Sequence, residues 1–265
     1  MPRKAKLGQN FLVDAQAAER MVAALGDVAA QTVVEIGPGR GAITEMLAAR
    51  ARHVLAIELD RNLTADLRAR FGAEPRITVV EQDVLQFDFA GAAARAGQRL
   101  RVAGNLPYYI TSPILLKLAA SHASLELAVL MVQREVADRV TAAPGSRDYG
   151  ALSATVQMYG PVERLFTLPP SAFSPRPQVH STVFRWRFAP RFAELGVEET
   201  GFLRLLRTVF AQKRKTLANN LRAAGIRPEV AAAALERAGI EPKIRAEALN
   251  LEALAALFGG LTERR

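Results

Sequence analysis

The feature that most limits what this chain can fold into is a strand-like run that leads straight into a glycine-rich turn. Residues 32–36 (TVVEI) are mostly β-branched, and the segment GPGRG at 37–41 follows at once. Glycine has no Cβ, so it permits a sharp turn and lets a ligand approach the backbone closely. A strand, a turn of this kind and a following helix are typical of a βαβ unit that binds a nucleotide or nucleoside.

Strand-like and helix-like segments alternate through the first two thirds of the chain. A helix is predicted after Asp14, and further helices are predicted at 41–50, 61–71, 112–121 and 133–142. Strands are predicted at 32–36, 53–58, 77–81, 100–105 and 125–132. This alternation predicts an α/β fold with a mainly parallel sheet that is buried on both faces. Strand-like runs at 152–158, 164–169 and 180–188 predict an antiparallel addition to that sheet.

The remainder of the chain has helix-forming composition. Helices are predicted at 199–211, 213–224, 228–238 and 246–258, with Gly225, Gly239 and Gly259 as stops. We therefore predict two domains, 1–190 and 191–265, of which the second is small and all-α.

Composition narrows the class of protein. The chain has 265 residues and no cysteine, which excludes a disulfide framework and a thiolate metal site. Its N-terminus has basic residues but no apolar core of a signal peptide, and the chain has no apolar run long enough to span a membrane. These features predict a soluble, cytoplasmic protein with no membrane partner.

Positive charge is clustered along the chain. The formal charge is +9 at pH 7, and ten Arg or Lys against three Glu lie between Arg185 and Arg227. Arg3, Lys4 and Lys6 add further charge near the N-terminus. A basic surface of this kind attracts phosphate backbones and releases their counterions. The clustering favours a nucleic-acid partner over the alternative of a merely arginine-rich protein.

Within this basic region, three consecutive cations stand out beside a predicted helix start. Lys213, Arg214 and Lys215 follow one another directly. We predict that they contact phosphates of the nucleic acid rather than its bases. The alternative is a solvated helix face without a partner.

Carboxylates follow two of the predicted strands, where a cofactor would lie in a βαβ fold. Glu58 ends the second strand and is expected to accept hydrogen bonds from ribose hydroxyls. Asp83 lies just past the third strand and is expected to accept one from an adenine amino group. Gly37 and Gly39 are the predicted turn that cradles the ligand.

Two cofactors remain compatible with this pattern. GPGRGA at 37–42 also satisfies the dinucleotide pattern G-x-G-x-x-A, so an NAD-type cofactor is one alternative. The three histidines (His53, His122 and His180) lie in unrelated contexts and supply no hydride-transfer partner. Glu35, two residues before the first glycine, suits a methyltransferase, in which a carboxylate organises the loop. These observations favour S-adenosylmethionine.

The segment Asn105-Leu106-Pro107-Tyr108 indicates what the cofactor acts on, because it ends the fourth predicted strand. The side-chain oxygen of Asn105 and the carbonyl of Leu106 can accept hydrogen bonds from both N–H groups of an adenine amine, which frees the nitrogen lone pair. Pro107 fixes the bend, and Tyr108 can stack on an unstacked base. Transfer of a methyl group to this amine is an in-line displacement that depends on positioning and needs no metal.

A second aromatic residue is expected to complete the site. Phe173 begins the proline-rich segment FSPRP at 173–177, and the two prolines stiffen it. We expect Phe173 to lie on the opposite face of the base from Tyr108. The alternative is a proline-rich connection that contains a core phenylalanine.

The chain resembles the small-subunit ribosomal RNA adenine dimethyltransferase family over nearly its whole length. The matching blocks include KLGQNFL (6–12), EIGPGRGAIT (35–44), IELD (57–60), GNLPYYITSPIL (104–115), FSPRPQVHSTV (173–183) and FAQKRKTLANNL (210–221). The resemblance implies a class I, Rossmann-like methyltransferase domain followed by a small helical domain. It also implies that the methyl donor is bound by six residues: Asn10, Leu12, Gly37, Glu58, Asp83 and Asn105.

The function implied by this resemblance is N6,N6-dimethylation of two adjacent adenosines in small-subunit ribosomal RNA, and the expected partner is an immature small ribosomal subunit. A monomer is the simplest expectation. Two alternatives stay open: a large-subunit RNA adenine methyltransferase, and an assembly factor whose binding matters more than its catalysis.

Overall fold

A computed structural model describes residues 10–262 of the chain. The basic residues Arg3, Lys4 and Lys6 lie outside the described residues. Within residues 10–262, no helix combines the length and the apolar character needed to cross a membrane.

Two β-sheets are present in the described chain. Their strands are β1 (Phe11–Leu12), β2 (Thr32–Ile36), β3 (His53–Glu58), β4 (Ile77–Glu81), β5 (Leu100–Asn105), β6 (Leu125–Gln133), β7 (Val162–Leu168), β8 (Phe173–Ser174) and β9 (Ser181–Arg187).

The larger sheet has seven strands in the order β4-β3-β2-β5-β6-β9-β7. Strands β2 to β6 run parallel to one another, whereas β9 pairs antiparallel with both β6 and β7. The smaller sheet pairs β1 with β8, so that Leu12 lies opposite Phe173. The carboxyl ends of β2, β3, β4 and β5 therefore meet at one edge, which is where ligands bind in sheets of this kind.

Helices connect the strands and form the rest of the chain. They are α1 (Ala15–Ala23), α2 (Thr44–Ala48), α3 (Arg61–Phe71), α4 (Phe89–Ala96), α5 (Thr111–Ala120), α6 (Arg134–Val140), α7 (Ala151–Met158), α8 (Glu199–Val209), α9 (Leu217–Ala223), α10 (Pro228–Arg237) and α11 (Leu251–Thr262).

Local sequence explains where several helices begin. The Asp14 carboxylate accepts a hydrogen bond from the backbone N–H of Ala17 (3.0 Å), which caps α1. Asp60 caps α3 in the same way, through the N–H groups of Asn62 and Leu63. Pro228 occupies the first turn of α10, where a missing N–H costs nothing.

The predicted α/β class is confirmed, and its core lies where burial on both sheet faces predicts. All five residues of β2 are buried, as expected for a central parallel strand. One face of the sheet packs against α1 and α2 through a cluster that includes Met21, Val33, Val54 and Val129. This packing holds the carboxyl ends of the central strands in a fixed arrangement.

The chain divides into two compact units, and their boundaries differ from a single cut near residue 190. One unit contains the described residues through Ala137 together with Val162–Phe188. The other contains Asp138–Pro161 and the chain from Ala189 onward. The described regular elements of this second unit are all helical.

Residues 138–161 belong with the C-terminal helices because of specific contacts. The Tyr159 hydroxyl donates a hydrogen bond to Glu199 Oε1 (2.6 Å), and its ring meets that of Phe192 edge-on. The prediction of a strand at 152–158 was wrong, since these residues form α7. The Gly150 N–H donates to Ser153 Oγ at its first turn (3.0 Å), and Ser153 Oγ in turn donates to the carbonyl of Arg139 (2.5 Å).

Candidate active site

The glycine loop follows β2 and leaves its backbone open to a ligand. Gly37 and Gly39 have φ values of +65° and +57°, which residues other than glycine rarely adopt. The Gly37 N–H donates to the carbonyl of Ile57 (3.0 Å), which joins the loop to β3. A Cβ on Gly39 would lie 2.9 Å from the ring of Phe11. The loop therefore requires glycine at position 39 for space as well as for backbone geometry.

Glu58 lies at the end of β3 and is oriented by three backbone N–H groups. Its Oε2 accepts from Gly39 (3.1 Å), and its Oε1 accepts from Leu59 (2.9 Å) and Asp60 (3.0 Å). Burial raises the pKa of Glu58, and the three backbone hydrogen bonds act in the opposite direction. The carboxylate thus lines the cavity in one fixed orientation, with lone pairs left to accept from a ligand.

Asp83 stands at the turn after β4. Its Oδ1 accepts from the N–H of Leu85 (2.9 Å), which fixes the side chain, and the residue lines the same cavity as Glu58. Two carboxylates that follow neighbouring parallel strands are thereby presented to one ligand.

Glu35 lies beneath the glycine loop and is fully buried within β2. The Thr44 hydroxyl donates to Glu35 Oε2 (2.6 Å). Burial raises the pKa of Glu35 to about 8, Thr44 lowers it, and the nearby Glu58 raises it further. Glu35 is therefore mostly protonated at neutral pH, so the loop rests on a neutral carboxyl rather than on a buried charge.

Asn105 ends β5 and has one satisfied and one unsatisfied polar atom. Its Nδ2 donates to the backbone carbonyl of Asn10 (2.9 Å). Its Oδ1 is buried and has no hydrogen-bond partner among the described residues. The next residue, Leu106, donates its N–H to the carbonyl of Met131 (2.9 Å), which continues the β5–β6 pairing to the rim of the cavity. Asn105 therefore presents an acceptor oxygen from a rigid strand end.

The segment after Asn105 is held by side-chain hydrogen bonds. The Tyr108 hydroxyl and Ser181 Oγ, at the start of β9, lie 2.7 Å apart. Thr111 Oγ1 donates to the carbonyl of Pro107 (3.1 Å) as α5 begins. Burial raises the pKa of Tyr108, with the hydrogen bond to Ser181 opposing that rise. The Tyr108 side chain is thus neutral, and its hydroxyl is held against Ser181.

These side chains meet in one cavity at the carboxyl edge of the sheet. The sequence-predicted residues that line it are Asn10, Leu12, Gly37, Gly39, Glu58, Asp83, Asn105, Leu106, Pro107 and Tyr108. Their assignment to donor binding or to catalysis stays a prediction, but the structure brings them together.

Phe173 is the exception, and the expected pair of rings around a base is not formed. Phe173 is 2% exposed, belongs to the core that contains Leu12 and Ala172, and is absent from the residues that line the cavity. Phe173 lies opposite Leu12 in the antiparallel β8–β1 pair, and its side chain packs in the core that also contains Leu12. The structure corresponds to the alternative of a core phenylalanine.

Tyr109 lines the cavity but is not among the residues predicted from the sequence. It is 54% exposed, although it is a large aromatic residue. Burial raises the pKa of Tyr109, and the negative charges of Asp83 and Glu58 add to this effect. Leu59 also lines the cavity and is 50% exposed. Each directly follows a residue that was singled out, Tyr108 and Glu58, and this adjacency was the available signal.

The predicted RNA-contacting residues lie in the second unit, outside the cavity. Lys213, Arg214 and Lys215 are exposed in the turn between α8 and α9. Among residues 10–262, no group of three or more metal-ligating side chains is arranged around one point.

Comparison with known proteins identifies relatives over the whole length. The profile of the family described as ribosomal RNA adenine dimethylase matches residues 2–262. A protein from Acidobacterium capsulatum, named ribosomal RNA small subunit methyltransferase A, is 59% identical over 261 residues, or 98% of this chain and 92% of that protein. A protein of the same name from Koribacter versatilis is 54% identical over 84% of this chain and 82% of its own.

Solved structures show the same fold. A dimethyladenosine transferase from Plasmodium falciparum superposes with a TM-score of 0.80 at 22% identity, over 93% of this chain and 95% of that one. The 23S rRNA methyltransferase ErmE superposes with a TM-score of 0.73 at 25% identity, over 95% of this chain and 99% of that one. The chain therefore belongs to the ribosomal RNA adenine dimethylase family and is an S-adenosylmethionine-dependent rRNA adenine dimethyltransferase.

Proposed function

We propose that this chain transfers methyl groups from S-adenosylmethionine to N6 of two adjacent adenosines in a hairpin loop near the 3′ end of small-subunit ribosomal RNA, giving N6,N6-dimethyladenosines. The names of its 59% and 54% identical relatives support the small subunit as the target. We propose further that the substrate is an immature small subunit, that the chain acts as a monomer, and that it works in the cytoplasm.

The cavity residues fit this donor. Gly37 and Gly39 leave the loop backbone open, while Glu58 and Asp83 offer carboxylates at the ends of adjacent strands. These are acceptors for the ribose hydroxyls and the adenine amino group of a nucleoside, and the donor supplies an activated methyl group when bound. Asn10 and Leu12 would complete the wall of the donor site.

The observation that carries the proposal is the unpartnered Oδ1 of Asn105. A buried acceptor without a partner costs about 1–3 kcal/mol, so a ligand that donates a hydrogen bond there is favoured. The exocyclic amine of adenine has two N–H groups. If Asn105 Oδ1 and the Leu106 carbonyl accept them, the nitrogen lone pair is left free to point toward the methyl group.

Tyr108 and Pro107 would position the base. Tyr108 has a neutral ring, fixed by its contact with Ser181, and offers a face on which an unstacked base can rest. Pro107 fixes the backbone between the two acceptors and this ring. The catalytic contribution of these residues is positioning rather than acid or base chemistry.

A basic segment outside the cavity would hold the RNA. We propose that Lys213, Arg214 and Lys215 contact phosphates, which position the RNA without reading its sequence. Binding through such contacts weakens steeply as the salt concentration rises.

Incubation with labelled donor and under-methylated small subunits tests the proposal. The expected product is dimethyladenosine, identified by nucleoside mass spectrometry and mapped to adjacent positions of the small-subunit RNA. Glu58→Ala and Asn105→Ala serve as inactive controls. A parallel incubation with large subunits tests the alternative target. Incorporation there and none into small subunits would favour a large-subunit RNA methyltransferase such as ErmE, which is 25% identical.

The assembly-factor alternative is tested with the same inactive variants. If binding acts as a checkpoint, Asn105→Ala stays on immature subunits and stalls their maturation. Normal maturation in the presence of that variant contradicts a checkpoint role.

A further inference from the structure

A side-chain hydrogen bond joins two separate segments of the second unit. Lys213 Nζ donates a hydrogen bond to the backbone carbonyl of Arg147 (2.7 Å). Arg147 lies in the loop 143–148, before α7, and Lys213 lies in the turn 212–216, before α9. Both side chains are exposed. One of the predicted RNA-contacting lysines is therefore also a tether for a second loop.

The tethered loop is anchored on either side of Arg147. The Gly145 N–H donates to the carbonyl of Glu247 (2.7 Å). Tyr149 is 1% exposed, and its ring meets that of Phe210 edge-on at 6.0 Å. Because Phe210 lies two residues before Gln212, the same packing fixes both segments. Arg147 is thus displayed from a defined position beside the turn.

Together the two segments carry a strong positive charge without matching acids. Residues 143–148 and 212–216 contain four cations, Arg147, Lys213, Arg214 and Lys215, and one acid, Asp148. Among the described residues, Arg147, Arg214 and Lys215 take part in no ion pair. Exposed cations that are clustered and unpaired suit a polyanion, and the planar fork of arginine suits the oxygens of a phosphate group.

We infer that loop 143–148 is part of the RNA-binding surface, with Arg147 as a phosphate contact that Lys213 holds in place. This inference rests on the proposed function, since RNA is the polyanion it requires. It extends the surface beyond the 213–215 segment, and it gives Lys213 a positioning role in addition to its charge.

Binding of under-methylated small subunits as a function of salt tests the contact. Each lost phosphate contact reduces the slope of log K against log salt by about 0.7–0.9, the values for single strands and for duplex DNA. Arg147→Ala should reduce the slope by about that amount and weaken binding several-fold at moderate salt. Arg204→Ala is the matched control, because it removes the same charge from an exposed site in the same unit. The charge of Arg204 helps to lower the pKa of Glu198. Equal slopes for the two variants would overturn the inference.

The positioning role of Lys213 is tested without RNA. In hydrogen exchange of the free protein, Lys213→Ala should speed exchange of the amides at 143–148, whereas Arg147→Ala should not, since its backbone carbonyl remains. In the binding assay, the variant with both Arg147→Ala and Lys213→Ala should lose less binding free energy than the two single variants lose in sum. The reason is that Lys213→Ala already misplaces Arg147. Unchanged exchange together with additive losses would contradict this role.

The proposed function and the extended RNA-binding surface can be rejected separately. If the wild-type protein does not bind small subunits, the proposed function fails, whatever the exchange data show. If the wild type binds but Arg147→Ala keeps the wild-type slope, only the extended surface is rejected.

Discussion

The side-chain amide of Asn105 donates a hydrogen bond to the backbone carbonyl of Asn10 at 2.9 Å. The hydrogen bond occupies the nitrogen of the amide. The oxygen of the same amide is buried and has no hydrogen-bond partner among the described residues. One side chain therefore joins two parts of the cavity wall, the residue before β1 and the end of β5.

Asn105→Ala removes the acceptor and should lower the methylation rate by about 100-fold or more, the loss typical of one preorganised polar group at a reacting centre. Donor affinity should fall only modestly, because Glu58 and Asp83 remain. Single-turnover methylation and calorimetric titration with the donor measure the two effects. A rate within threefold of wild type would contradict the assignment of Asn105 as the acceptor.

Glu35→Gln should remove a pH dependence of stability. The folded-state pKa of Glu35 is raised to about 8 by burial, above its unfolded value of 4.5. Between these two pKa values the folded state holds a proton that the unfolded state has lost. The stability that this proton contributes is fully present below about pH 4.5 and is lost as the pH rises to about 8. As the pH rises across that window, the unfolding free energy of the wild type should fall by on the order of a few kcal/mol relative to that of Glu35→Gln. Denaturant unfolding at several pH values measures this difference, and parallel profiles would refute it.

Gly104→Ala should destabilise the protein and displace Asn105. A Cβ on Gly104 would lie 2.6 Å from the carbonyl oxygen of Ile36 in β2. Pushing the two strands apart should cost about 1–3 kcal/mol of unfolding free energy, with a loss of methylation in the protein that still folds. Gly259→Ala in α11 is the control, because its Cβ meets nothing within 4 Å, and it should be neutral or slightly stabilising. Thermal unfolding and activity assays compare the two.

Tyr109→Ala should weaken donor binding about tenfold through the loss of an aromatic contact, because Tyr109 lines the cavity near Asp83 and Glu58. Tyr109→Phe should keep most of the affinity, since the ring remains. Leu116→Ala, at a position that is 48% exposed and outside the cavity, is the control. Titration with S-adenosylhomocysteine reports the affinities, and an equal loss in Tyr109→Ala and Leu116→Ala would exclude the contact.

Phe173→Ala and Phe173→Leu separate a core role from a stacking role. Phe173 is 2% exposed, so Phe173→Ala should lose about 3–5 kcal/mol of stability. Phe173→Leu should restore most of it and, with it, most of the activity. If the Phe173→Leu protein were stable but methylated 100-fold more slowly than wild type, the result would instead support a contact between the Phe173 ring and the substrate.

The central sheet could be predicted because buried parallel strands leave a clear pattern. Strands β2 to β5 begin and end at the predicted residues, since each is an apolar run bounded by turn or polar residues. Gly225 and Gly239 end helices with positive φ, as predicted. Gly259 does not, because it lies within α11, where an apolar face continues past it.

Segments whose structure depends on distant partners were harder to predict. Residues 152–158 alternate between apolar and polar side chains, as a strand does, but form a helix whose first turn is tied to Arg139 through Ser153. Helix α4 was missed because it is short and rich in alanine, although Asp88 caps it.

The cavity residues that follow the ends of parallel strands could be predicted from the sequence. The position of Phe173, which depends on the pairing of two very short strands, could not. Glu58, Asp83 and Asn105 all reach the cavity because the carboxyl ends of parallel strands converge. The orientation of Phe173 is set by two-residue strands, β1 and β8, which leave no periodic signal.

The course of the chain has a practical consequence for dissecting this enzyme. The backbone passes between the two units three times, at residues 137–138, 161–162 and 188–189. A protein truncated at residue 190 would keep α7 but lose the partners of Tyr159, among them Phe192 and Glu199. A stop codon alone therefore cannot separate the first unit, because that unit omits residues 138–161 as well as the chain from Ala189 onward.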